Sequence, residues 1–272
     1  MDNLVVATIQ MTSSKQWQDN LNTAIDLIQQ ASNAGAQLVV LPEFFIRISD
    51  PNEDNFFEIV EEIGIGKIQD RLKNSARQNN IYLVAGTIPI RSKVSGKYYN
   101  TTIVYGPNGD MLCYYKKVHL FSLYNQEHNI DESRLFESGN DVTTFNIGQF
   151  SFGLSICYDL RFPELFREMA GVDSIIIPAA FTYYTGKAHW EVLLRARAIE
   201  NQCYVIASAQ SGIHDNGRRT FGHSMIIDPW GMIKAILEEG TGFVLGEINK
   251  QEIERIRSEL PALQHMKFMD EV

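Results

Sequence analysis

The chain has 272 residues, 44% hydrophobic and 21% charged, with a formal net charge of −9. That composition is ordinary for a globular protein, and the acidic balance argues against nucleic acid or an anionic membrane as partner. No apolar run reaches the ~18 residues of a membrane span. The N-terminal "MDNLVVATIQMTSS" lacks a charged leader region and a cleavage site. Three cysteines without a CxxC argue against a disulfide framework or a zinc site, and a reducing cytoplasm is the expected compartment.

"LVVATIQ" (4–10) predicts a buried strand, and Trp17, Leu21, Ala24, Ile25, Ile28 and Ala31 mark a helix face closed by Gly35. "AQLVVLPEFF" predicts a second strand ending at Pro42 and Glu43. Two helical patterns follow across 53–79, then "IYLVAGTIPI" as one strand. "YYNTTIVYGPNGDMLCYYKKVHL" predicts two strands joined at Gly-Pro-Asn-Gly, and "DVTTFNIGQFSFGLSIC" repeats that logic with a turn near Gly148.

"VDSIIIPAA" predicts a buried strand, and "KAHWEVLLRARAIENQ" a helix with Trp190, Leu193, Leu194 and Ala198 inward. "CYVIASAQ", "TFGHSMIIDPWGMIKAILEE" and "GFVLGEIN" predict strands, with a turn at Asp-Pro-Trp-Gly, and the last helix spans 250–258. With no linker, repeat or low-complexity segment, residues 1–272 form one domain. Alternating strands and helices, with several hairpins, imply mixed sheets covered by helices. About twelve strands require two sheets.

The stretch "FSFGLSICYDLRFPELFREMA" (150–170) concentrates the candidate chemistry. Phe150, Phe152, Leu154 and Ile156 recur at period two, and Pro163 and Glu164 suit a first helical turn. Cys157 therefore falls on a strand-to-helix bend, where open α/β sheets bind ligands and where a nucleophile elbow presents its side chain. The plain alternative is a small buried hydrophobe. Glu43 and Lys117 also stand where strands end. A buried carboxylate can take a thiol proton, and an ammonium can hold an oxyanion. Taken singly, Glu43 is an ordinary loop carboxylate and Lys117 a solvated strand end; their conjunction with Cys157 points to catalysis.

On these residues the chain resembles the nitrilase superfamily of carbon–nitrogen hydrolases, from about residue 4 to residue 268. "LPEFF" resembles that family's base motif, "YYKKVHLF" its lysine motif and "GLSICYDLRFPE" its nucleophile motif. "ESRLFESG" matches a further glutamate pattern with Glu132, Ser133 and Gly139; Glu137 is the competitor, but Gly139 follows it too closely. The block from "AFTYYTGKAHW" through "AQSG" to "GHSMIIDPWG" is similar to the deaminated glutathione amidase branch more than to the ω-amidases. Ser122 and Lys187 depart from the family pattern, near the Glu132 loop and the expected substrate mouth.

The resemblance implies a four-layer αββα sandwich that pairs through helical faces into a homodimer or higher homo-oligomer. It implies a small-molecule amide substrate, no cofactor and no metal. Glu43 would deprotonate Cys157, Lys117 and the backbone N–H of Tyr158 would hold the oxyanion, and Glu132 would orient Lys117 and the amide. Burial raises the pKa of a carboxylate such as Glu43 and a neighbouring cation lowers it, a balance the sequence leaves open.

Arg161 could bind a substrate carboxylate or pair with Glu164, and Tyr183 and Tyr184 could line the pocket or be ordinary loop aromatics. Cys113 and Cys203 read as packed thiols. The histidines show no metal-binding spacing, although His119 or His223 could serve a Cys-His enzyme. Three readings compete: an amidase acting on deaminated glutathione, the same enzyme acting on an ω-amide, nitrile or N-carbamoyl compound, and a non-catalytic dimeric binding protein.

Overall fold

Strand-forming runs separated by two strongly amphipathic helices shape the first half of the chain. The computed structural model describes residues 2–48, 56–124 and 129–267. In order come β1 (Asn3–Gln10), α1 (Trp17–Asn33), β2 (Leu38–Val40), α2 (Lys67–Asn79), β3 (Tyr82–Val84), β4 (Ile88–Arg91), β5 (Tyr98–Tyr105) and β6 (Met111–Lys116). A short ribbon, β7 (Ser122–Tyr124) with β8 (Asn129–Asp131), leads to the second half.

That half holds β9 (Thr144–Ile147), β10 (Phe150–Leu154), α3 (Pro163–Glu168), β11 (Ser174–Ala179), α4 (Tyr183–Asn201) and β12 (Tyr204–Ala209). The ribbon β13 (Ser211–Ile213) with β14 (Arg219–Phe221) precedes β15 (Ser224–Ile227) and β16 (Ile233–Leu237). β17 (Gly242–Asn249) then returns to pair antiparallel with β1, and α5 (Lys250–Glu259) follows.

One sheet runs β17-β1-β2-β3-β5-β4, with β6 on β5; the other runs β16-β15-β12-β11-β10-β9. In each the central strands are parallel, β1 with β2 and β3, and β10 with β11 and β12. The alternation along β1 sorts its side chains between two cores. Ala7 and Ile9 pack with Leu21, Ala24 and Ile28 of α1 and Leu72 of α2. Leu4 and Val6 turn the other way, into a core shared with Phe152, Ile176 and Val205 of the second sheet and Trp190 and Leu194 of α4. Each fully buried Leu, Ile or Phe there contributes about 1.5–3 kcal/mol. The result is the four-layer αββα sandwich that the resemblance implies, built from the two mixed sheets that the strand pattern predicts.

Three local differences have clear causes. "IYLVAGTIPI" is two strands, broken where Gly86 takes φ +54°. A Cβ at Gly86 would lie 2.3 Å from the Pro42 carbonyl oxygen, so only glycine lets the chain pass beside the Pro42–Glu43 loop. The first helical pattern within 53–79 is a single 3₁₀ turn, Phe56–Ile59, while residues 53–55 lie outside the described residues. Finally, α4 begins at Tyr183, four residues earlier than its apolar face suggests, because the Thr182 hydroxyl caps it by accepting from Thr185 N at 3.3 Å.

Candidate active site

β10 ends at Leu154, and a 3₁₀ turn, Cys157–Arg161, leads through Phe162 into α3, whose first residue is Pro163. Cys157 takes φ +49° at the start of that turn. A non-glycine residue in this region carries strain of about 1–3 kcal/mol, which the surroundings must hold. Asp159 does much of the holding. Its buried carboxylate accepts from Ile156 N and the Tyr115 hydroxyl on one oxygen, both at 2.8 Å. The other oxygen accepts from His119 N at 2.9 Å and meets His119 Nδ1 at 2.8 Å. Asp159 thus ties the bend to the segment around Lys117.

Glu43 follows β2, and its backbone is held on both sides. Gln210 Nε2 donates to the Glu43 carbonyl at 3.1 Å, and Phe44 N donates to Thr87 Oγ1 at 2.9 Å. Glu43 Oε1 accepts from Lys117 Nζ at 2.8 Å and from Asn100 Nδ2 at 2.9 Å; Oε2 accepts from Ala180 N, just past β11, at 3.0 Å. Lys117 Nζ also donates to Glu132 Oε2 at 2.8 Å, which takes Phe121 N as well, at 2.9 Å. The two sheets therefore deliver Glu43 and Lys117 from one side and Cys157 and Ala180 from the other.

Glu137, the competing glutamate, turns elsewhere: its carboxylate accepts from the Ser92 hydroxyl and its N–H donates to Tyr98 O at 2.8 Å. The glycine that separated the two in sequence has a physical job. Gly139 N donates to Lys117 O at 2.8 Å, and a Cβ at Gly139 would come 2.3 Å from Lys116 O.

Burial sets the protonation states. It pushes the Cys157 thiol well above the usual range, the Glu43 charge adds to that, and Lys117 opposes it. The resting group is a neutral thiol within the electrostatic reach of Glu43 and Lys117. Burial would strip the proton from Lys117, but Glu132 and Glu43 outweigh it and hold the ammonium. Burial raises the Glu132 carboxyl, Glu43 adds to the rise, and Lys117 offsets part of it. This is a neutral nucleophile beside a carboxylate and a fixed cation, an arrangement suited to acyl transfer with concerted proton movement.

Cys157 opens onto a small cleft lined with Phe121, Tyr158, Arg161, Phe181, Thr182 and Thr185. Arg161 forms no ion pair with Glu164; its guanidinium lies 5.7 Å and 5.3 Å from the ring centres of Tyr158 and Phe181. Among the described residues no carboxylate pairs with it. Tyr183 and Tyr184 do not line the cleft. Tyr183 packs on Phe221 under the Arg219 guanidinium, 3.6 Å away, and Tyr184 is exposed; their flanking residues Thr182 and Thr185 face the cleft instead.

Neither histidine candidate is placed to activate Cys157. The His119 ring stacks on Phe162 and faces Asp159, and His223 stacks on Phe221. Burial raises the Cys113 and Cys203 thiols to about 12, and both lie outside the Glu43–Lys117–Glu132 chain that could take a thiol proton. Among the described residues, no group of three or more His, Cys, Asp or Glu could hold a metal ion, and no helix is long and apolar enough to cross a membrane.

A strained cysteine elbow facing a Glu–Lys–Glu chain across two sheets defines a class. The carbon–nitrogen hydrolase family model matches residues 5–258, and the chain belongs to that family, enzymes that cleave C–N bonds with water. Particular relatives narrow it further. A deaminated glutathione amidase of Synechocystis is 42% identical over 97% of this chain and 98% of its own. The structure of Saccharomyces cerevisiae Nit3, a member of branch 10 of the nitrilase superfamily, matches with a TM-score of 0.87 and 32% identity, covering 98% of this chain and 97% of that one. A variant of the amidase from Nesterenkonia sp. AN1, carrying acrylamide added to its active-site cysteine, matches at 0.77 and 26% identity, over 96% of this chain and 99% of that one.

Proposed function

We propose that the chain, one domain over residues 1–272, is an amidase that hydrolyses a small carboxylated amide, deaminated glutathione, through a thioester on Cys157. The observation that carries this is the buried, hydrogen-bonded Glu43–Lys117–Glu132 chain set beside Cys157, which opens onto the cleft. Glu43 takes the thiol proton as Sγ attacks the amide carbon. The C–S bond forms, and the carbonyl electrons move onto oxygen, which Lys117 Nζ and Tyr158 N–H stabilise. Tyr158 lies in the first turn of its 3₁₀ segment, whose N–H groups have no partner within the helix. Glu43 returns the proton to nitrogen as the C–N bond breaks and the amine departs. Water then attacks the thioester, Glu43 takes its proton, and the C–S bond breaks to release the acid and restore the thiol.

Glu132 fixes Lys117 in this scheme. Glu132→Gln is expected to lower kcat by on the order of 10² or more, whereas Glu137→Gln stays within about threefold of wild type. The opposite pattern in steady-state kinetics would assign the role to Glu137.

The substrate assignment rests on Arg161 and the Synechocystis relative. A guanidinium at the cleft with no carboxylate of its own, braced by two aromatic faces, suits a substrate carboxylate. The enzyme is read as cytoplasmic and as a homodimer or higher homo-oligomer. Support for self-association comes from the apolar strip of Val192 and Ile199 on α4, exposed beside the Trp230–Met232 turn.

Deaminated glutathione and α-ketoglutaramate share the reacting end and differ in the arm beyond it, whose contacts can orient the amide. With amine release measured side by side, kcat/KM for deaminated glutathione is expected to exceed that for α-ketoglutaramate by at least roughly tenfold, about 1.4 kcal/mol. Equal or reversed values would make the enzyme an ω-amidase.

A further inference from the structure

We propose that Asn100 is a positioning residue for the reaction, holding the Glu43 carboxylate in place while Lys117 turns to the oxyanion. The inference rests on the reading of Glu43 as the base. Asn100 lies on β5 and is 1% exposed. Its Nδ2 donates to Glu43 Oε1 at 2.9 Å, and its main-chain oxygen accepts from Lys117 N at 2.9 Å. One residue of the sheet is thereby bonded both to the base and to the backbone of the oxyanion cation.

An ionised carboxylate offers about four acceptor positions. Asn100, Lys117 Nζ and Ala180 N take three of those on Glu43, which leaves about one to receive the Cys157 proton. Lys117 has about three donors, of which Glu43 and Glu132 occupy two in the resting site. When an oxyanion forms, the ammonium is drawn towards it and its hold on Glu43 weakens. The Asn100 amide is neutral, buried and fixed to the strand, so it is not drawn away.

A second observation separates this from ordinary strand packing. Asn100 Oδ1 is buried and has no hydrogen-bond partner. Turning the amide over would set Oδ1 against Glu43 Oε1, acceptor against acceptor. The side chain therefore leaves one of its own groups unsatisfied in order to donate to the base. A residue selected for stability alone at a buried strand position would be apolar, or would satisfy both ends.

The titratable groups facing Glu43 are Lys117, Glu132 and Cys157, and the Lys117 contacts to Glu43 and Glu132 are not made through the Asn100 side chain. Asn100→Leu keeps the approximate shape, deletes the donor and also deletes the orphaned oxygen. Asn100→Asp keeps the shape and puts a carboxylate against Oε1. Both disfavour an ionised base, so the acid limb of the pH profile of kcat/KM should move to higher pH, Asp further than Leu.

For Asn100→Leu the expected result is a kcat lower by roughly 10–100-fold, KM within about threefold, and an acid limb raised by about one pH unit, with an undiminished thermal midpoint. A structural role predicts the reverse, a lower midpoint with the acid limb unmoved. Wild-type kcat and acid limb in Asn100→Leu overturn the inference. Should that variant not fold, an unmoved acid limb in Asn100→Asp overturns it equally. Glu43→Gln, measured alongside, tells the two failures apart: if it retains turnover, the base assignment itself falls.

Discussion

Cys157→Ala is expected to abolish amide hydrolysis while leaving the protein folded. The sulfur is the atom that forms the acyl bond, and none of the groups around it can replace it. Glu43 is held by Asn100, Lys117 and Ala180, and the Cys113 and Cys203 thiols lie in their own packed environments. The fold should tolerate the change. The backbone at φ +49° is no worse for alanine than for cysteine, and Asp159 continues to brace the bend. Cys157→Ser should lose nearly as much. Burial already holds the thiol neutral, and a hydroxyl starts much further from deprotonation than a thiol of ordinary pKa ≈ 8.5. Steady-state kinetics with a thermal melt checks both variants, and turnover above background in Cys157→Ala would remove the nucleophile assignment.

Lys117→Met is the second large effect, and it acts on rate and stability together. Losing an oxyanion donor lowers kcat by on the order of 10²–10³ or more. Arginine should not rescue, because its planar fork places charge differently. The same change leaves Glu43 and Glu132 buried without their shared cation, a loss of about 3–5 kcal/mol near neutral pH. The pH dependence has a definite sign. Burial and the Glu43 charge already raise the folded pKa of Glu132 against the pull of Lys117, and in the variant only the Phe121 N–H still opposes them. A carboxyl with a raised folded pKa binds its proton more tightly folded than unfolded. Stability is therefore lowest above that raised value and recovers as pH falls through it, towards the ordinary value near 4.3. The melting-temperature gap between wild type and Lys117→Met should narrow on acidification. A constant gap, or near-normal kcat, would contradict the buried-triad account.

Much of this site was legible because its residues follow strand ends with local signatures. Period-two apolar residues, then Cys157, then Pro163 describe an elbow without any tertiary information, and the bend appears there. Glu43 and Lys117 were legible for the same reason, each standing just past a strand, the buried β2 and the largely exposed β6. Glu132 was preferred over Glu137 only through the resemblance, whose pattern sets the spacing to Gly139, a glycine that the close approach of Lys116 requires.

The partners that hold these groups were not legible. Asn100 is a polar residue inside a strand, and its meeting with Glu43, 57 positions away, depends on the pairing of β5 with β6 and the passage of the loop after β2. Asp159 looks like a turn acid until Tyr115 and His119 fold against it. The Ala180 amide has no side-chain signature at all. For Tyr183 and Tyr184 the sequence left pocket lining and plain loop positions open, and the choice is local: the Thr182 cap starts α4 early and turns Tyr183 onto Phe221.

The most direct test of a thioester on Cys157 is intact-mass spectrometry of wild-type enzyme, acid-quenched during turnover of deaminated glutathione, followed by peptide mapping. The expected result is an added mass equal to the acyl portion of the substrate, located on the peptide that contains Cys157 and absent from Cys157→Ala. An adduct on Cys113 or Cys203, or rapid turnover with no acyl-enzyme under conditions that trap a model thioester, would contradict it.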